Sequence, residues 1–243
     1  MSETRSEPHE SLPPTSLVRR ADTHHLIASR DAGAAGDPLA LLLGDPRMRA
    51  DLIRLAAVTN DALLAESELL PGIGVQELVF GLPCSAIVNG AFAHAHPLGS
   101  RFNGPDRGAW YAAFELDTAQ AEVALHKSLH LAEIGRFEDE VVFDDCLADF
   151  SGGFHDLRLA AAFADCLDPS SYVQSQQLAE RLLSAGSLGV VYPSVRCPGV
   201  RCPGGTCLAC FRPAVVANVR IGTRYRFSWA GSPAPVIEAV RRP

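Results

Sequence analysis

The sequence predicts an α+β domain, a mixed twisted sheet with flanking helices, preceded by a helical N-terminal extension. Three observations carry this. Two short apolar runs, Gly108-Ala109-Trp110-Tyr111-Ala112-Ala113-Phe114 and Gly189-Val190-Val191-Tyr192, have the length and residue types of buried strands. Each adjoins a segment with helix-boundary signals. The last stretch, Ala214 to Trp229, alternates and is rich in β-branched and aromatic residues (Val215, Val216, Val219, Ile221, Tyr225, Phe227), which predicts a closing hairpin around Gly222.

Taken in order, residues 1–16 contain three prolines and no periodicity, and are expected to be a disordered tail. Residues 17–74 are expected to form the helical extension. Within it, Asp45-Pro46 starts a helix whose apolar stripe, Met48, Leu52, Leu55, Ala56 and Leu63, stops before Pro71-Gly72. Residues 75–230 form the main domain and 231–243 a C-terminal tail. From Leu78 to Ser100 there is no Asp, Glu, Lys or Arg, but Pro83, Asn89, His94, His96 and Pro97 exclude a lipid-facing helix; buried strands and turns are expected.

After the strand at 108–114, the spacing Asp117…Gln120 reads as a capping box opening a helix through Glu122 and His126. Phe137 to Ala164 mixes acids with strand-like pieces such as Glu140-Val141-Val142-Phe143. Asp168-Pro169-Ser170-Ser171 then opens a helix through Leu178, Ala179, Leu182 and Leu183, with a C-terminal glycine at Gly186.

With 243 residues and 47% hydrophobic content the chain can bury one good core. The net charge of −7, with 21 basic residues scattered along the chain, argues against direct nucleic-acid binding. The polar N-terminus lacks the apolar centre of a signal peptide, so cytoplasmic residence and no membrane attachment are expected. Seven cysteines suit reduced thiols. Cys197, Cys202, Cys207 and Cys210 could surround a zinc ion, yet only one Cys-x2-Cys pair exists and Arg196-Cys197-Pro198-Gly199-Val200 is nearly repeated by Arg201-Cys202-Pro203-Gly204-Gly205, so no metal is expected.

Read alone, Glu122 is either a surface helix acid or a carboxylate held near a strand end, and Arg101 either an ordinary ion-pairing arginine or a fork for an anion. Ser194, after Tyr192-Pro193, either caps its own turn or points a hydroxyl into a cleft. Nothing around it resembles a hydrolase nucleophile elbow. His126 lies on the same helix face as Glu122 and could pair with it.

Four segments in order, Ser100-Arg101-Phe102-Asn103, Trp110-Tyr111-Ala112, Thr118-Ala119-Gln120-Ala121-Glu122-Val123 and Tyr192-Pro193-Ser194-Val195-Arg196, resemble the RES domain family, named for its arginine, glutamate and serine. The likeness runs from about Leu78 to Pro213, with weaker support from Leu52 to Gly74. The resemblance implies a fold similar to ADP-ribosyltransferase toxins, cleavage of the nicotinamide–ribose bond of NAD by phosphorolysis or hydrolysis, and a toxin paired with an Xre-type helix-turn-helix antitoxin. NAD is then a substrate, with phosphate or water as co-substrate, and no cofactor is implied.

Arg101, Glu122 and Ser194 become the catalytic residues, and Asn103, Tyr111 and Arg196 substrate-binding ones. The alternatives are ADP-ribosyl transfer to a protein and a catalytically inactive nucleotide- or antitoxin-binding module. One departure keeps the last open, beside weaker NAD binding or a changed substrate: many relatives carry a further arginine where this chain reads Ile87-Val88-Asn89-Gly90, with Arg107 or Arg196 as candidates to compensate.

Overall fold

The computed structural model describes residues 11–29, 72–93, 95–158, 160–195 and 204–241. The helix expected from Asp45 lies outside them. The elements in chain order are β1 (Thr15–Ala28), α1 (Ser85–Ala93), β2 (Trp110–Ala113), α2 (Leu116–Ile134), β3 (Glu138–Asp156), α3 (Val173–Ser184), β4 (Gly189–Pro193), β5 (Thr206–Cys210), β6 (Ala217–Ala230) and β7 (Val236–Val240), with short 3-10 turns at Val75–Glu77, Ala161–Leu167 and Pro213–Val215. The strands form one mixed sheet in the order β1-β2-β5-β4-β3-β6-β7, and β3–β4 is its parallel pair. The α+β class expected from the sequence is the class observed.

β1 also pairs with β3, from Thr15↔His155 to Ala28↔Phe143, so β1, β2, β5, β4 and β3 close on themselves. Closure removes the open edges that a flat sheet would expose. Apolar residues from all five strands (Val18, Trp110, Phe150, Val191, Leu208) fill the inside, and Val88 and Phe92 of α1 join this cluster. The outward face of β2, β4 and β5 packs under α3 and the Ala161–Leu167 turn. Leu131 of α2 meets Phe227 and Trp229 of β6, where the Trp229 indole donates to Ser128 Oγ at 2.9 Å.

Several expectations are corrected. Residues 15–16, assigned to a disordered tail, and 17–28, assigned to a helical extension, are one strand; a register shift between Arg20 and Thr23, where Asp22 has φ 56°, hides its alternation. Part of the segment from 78 to 100, expected as strands, is α1; a nine-residue stretch without a charge has too little periodicity to separate the two. The helix after β2 starts at Leu116 rather than at a capping box on Asp117, which sits in its first turn, favourably placed for the helix dipole. Residues 217–230 run as one strand through Gly222, and the reversal lies between Ala230 and Val236. The helix expected after Asp168 and its glycine at Gly186 (φ 76°) are present.

Gly189 opens β4 at φ 148°, and a Cβ there would stand 2.2 Å from the Ala209 carbonyl oxygen across the ladder. Gly189→Ala is expected to lower stability by about 2–3 kcal/mol, read by urea denaturation. Glu77, just before α1, binds two arginines from distant loops. Arg107 donates to both of its oxygens at 2.9 and 2.8 Å, and Arg212 donates at 3.0 Å. Arg107 also donates to the carbonyls of Gly72 and Phe211, and Arg212 to that of Leu183. No helix among the described residues is long and apolar enough to cross a membrane.

Candidate active site

Strand alternation and one helix bring the predicted residues together. Tyr192 and Ser194 follow one another by two positions at the end of β4, so both turn to the same side. Cys207 of β5 lies directly opposite Tyr192 in the ladder. Above them passes α2, whose second turn carries Glu122. Ser194 Oγ donates to Glu122 Oε1 at 2.5 Å, a short bond of the kind a carboxylate makes with a hydroxyl. The Cys207 thiol lies 3.9 Å from the same oxygen. Ser194 is itself fixed by its backbone N–H donating to the Gly205 carbonyl at 2.7 Å.

Arg101 arrives from the loop before β2. Its neighbour Phe102 packs against Tyr192 with ring centroids 4.7 Å apart, which sets the loop against this face of the sheet. Arg101 is 5% exposed. Its Nη1 donates to the carbonyls of Asp168 (2.7 Å) and Cys166 (3.3 Å), and its guanidinium lies over the Tyr172 ring at 4.9 Å. Nη2 is buried without a hydrogen-bond partner among the described residues. A desolvated cationic N–H left unpaired is costly unless a ligand completes it, so this edge of the guanidinium suits an anion. The Arg101 charge reaches both Cys207 and Tyr192, which also feel Glu122, so the three predicted catalytic residues share one neighbourhood.

Tyr111 and Asn103 build the loop that carries Arg101. The Tyr111 hydroxyl donates to Asn103 Oδ1 at 2.7 Å and accepts from the Phe102 N–H at 2.9 Å, while Asn103 Nδ2 donates to the Gly104 carbonyl. Burial pushes the Tyr111 phenol up, so it stays a neutral donor. Both residues also line a groove of about 790 Å³ with His25, Ser100 and Gly108. His25 packs against Trp110 at a tilt of 31° and holds Nδ1 2.6 Å from the Tyr111 carbonyl; burial lowers its pKa, so the ring is neutral and donates from Nδ1.

Other candidates fall elsewhere. Arg107 is engaged by Glu77 and is not available to stand in for a missing phosphate contact. Asn89 binds the backbone of Val79 in both directions, at 2.8 and 3.0 Å, a structural clip that ties the middle of α1 to the segment before it. His126 is exposed on α2, and Arg196 lies outside the described residues.

Cys207 and Cys210 belong to clusters on opposite sides of β5, so they do not form a chelating pair; Cys197 and Cys202 lie outside the described residues. Among the described residues no cluster of three or more His, Cys, Asp or Glu could hold a metal. Sequence reasoning missed Tyr172, Tyr192 and Cys207 as parts of the site. Only Tyr192 carried a usable signal, its two-residue spacing from Ser194.

The model of one family, described as the RES domain, matches residues 82–230. Among solved structures, the chain is similar to one titled as the M. tuberculosis MbcT–MbcA toxin–antitoxin complex, at a TM-score of 0.41 and 14% identity, covering 54% of this chain and 73% of that one. No curated protein matches the sequence.

Proposed function

The chain belongs to the RES domain family, and from that premise we propose that it consumes NAD by cleaving the nicotinamide–ribose bond, with phosphate or water as acceptor. The observation that supports this reading best is the 2.5 Å bond from Ser194 to Glu122, between residues 72 apart in sequence, beside a buried arginine with an edge unpaired among the described residues. As the bond from nicotinamide to the ribose C1′ breaks, its electron pair neutralises the pyridinium ring, and positive charge builds on the ribose. The Glu122 carboxylate stabilises that charge. Arg101 holds the pyrophosphate through the side of its guanidinium not bonded to the Cys166 and Asp168 carbonyls.

Ser194 donates its proton to Glu122, so its oxygen lone pairs can accept from the attacking water or hydrogen phosphate and direct a lone pair of that nucleophile at C1′. The proton released as the new C1′–O bond forms has a path through Ser194 to Glu122. A toxin role with an Xre-type antitoxin partner rests on family membership, and purification with a neighbouring helix-turn-helix protein would test it. Incubation with NAD, with and without phosphate, is expected to yield ADP-ribose-1″-phosphate or free ADP-ribose together with nicotinamide. Modified protein instead would indicate ADP-ribosyl transfer, and unchanged NAD would leave a binding module.

A further inference from the structure

Tyr192 has no part in the mechanism above, yet its side chain shares the neighbourhood of Arg101, Glu122 and Cys207. It is 7% exposed, its ring is held by Phe102, and it lies across the ladder from Cys207, whose thiol approaches Glu122. Its hydroxyl makes no hydrogen bond with a described residue. A phenol enclosed to this degree ordinarily finds a partner inside the protein.

We propose that the Tyr192 hydroxyl is a substrate-binding donor, giving its hydrogen to a phosphoryl oxygen held at the free edge of Arg101. The inference rests on the NAD-consuming reading and adds to it a neutral donor within reach of the charges of both Arg101 and Glu122. That position has a physical logic. An anion beside Glu122 is repelled by it, and a second cation there would neutralise the acid, whereas a phenol adds a hydrogen bond without changing the charge of the site. Burial, with Cys207, Tyr111 and Glu122 nearby, raises the phenol well above its ordinary pKa, so it donates at every working pH. The phosphoryl oxygen can come from the NAD pyrophosphate or from free phosphate.

Tyr192→Phe keeps the ring against Phe102 and removes only the hydroxyl. In steady-state kinetics of the full chain, with NAD and inorganic phosphate varied in turn, one KM is expected to rise about tenfold while kcat stays within about threefold and the thermal midpoint is unchanged. The substrate whose KM moves identifies the source of the oxygen. Both KM values staying within about twofold, with or without a fall in kcat, overturns the inference. If the wild-type chain leaves NAD intact, the functional reading fails separately, and calorimetric titration with ADP-ribose then decides on Tyr192. Binding about tenfold weaker in Tyr192→Phe supports the inference; equal affinity, or no binding by either protein, overturns it.

Discussion

Glu122→Gln is expected to lower NAD consumption by at least about 10³-fold while leaving the fold intact. The replacement keeps the shape of the side chain and an oxygen able to accept from Ser194 at 2.5 Å, so the link between α2 and the end of β4 survives. What disappears is the negative charge opposite the ribosyl cation, an interaction made chiefly in the transition state. The loss should therefore fall on kcat rather than on KM. Nicotinamide release measured beside a thermal melt separates this from unfolding. A fully active Glu122→Gln variant with an unchanged melt would remove the acid from the mechanism.

Glu77→Ala is expected to be the most destabilising single change, costing about 3 kcal/mol at neutral pH, because it strands the Arg107 and Arg212 guanidinium groups that converge on one carboxylate. Hydrogen bonding from Arg107, followed by its charge and by Arg212, outweighs burial and brings the Glu77 pKa down from 4.5 to about 2. A group whose folded pKa lies below its unfolded one stabilises the protein above the unfolded value and loses that contribution as pH falls through the folded one. The gap between wild type and Glu77→Ala should thus be full above about pH 5 and shrink by on the order of 2 kcal/mol toward pH 2. Urea denaturation across that range reads it. A gap independent of pH would show that the carboxylate charge is not what holds the two arginines.

Arg101, Glu122 and Ser194 were legible in the sequence because each lies in a short ordered motif attached to a regular element; Tyr192 was missed although its two-residue spacing from Ser194 was there to read. β4 and α3 were legible from local pattern alone. The rest depends on pairings between distant residues. Nothing near Glu77 announces Arg212, 135 positions away, and nothing in Thr15–Ala28 announces that its partner is β3. β1 carries arginines and histidines because much of its side-chain surface faces solvent, and such a composition conceals a strand from propensity reasoning. The Arg101 cradle was hidden for a different reason. It is built from the backbone carbonyls of Cys166 and Asp168, which any residue supplies.

The segment that matches the RES family, 82–230, contains neither β1 nor β7. A polypeptide trimmed to those limits would carry the arginine, the acid and the serine, but not the strand that joins β2 to β3. The flanks of β2 and β3 would then stand bare, each a row of unanswered amide and carbonyl groups inviting another chain to add on. Glu77 would be lost with the same cut, leaving Arg107 and Arg212 without their shared counter-charge. The three candidate residues lie in the middle of the chain, whereas the strand pairing that closes the sheet depends on its flanks.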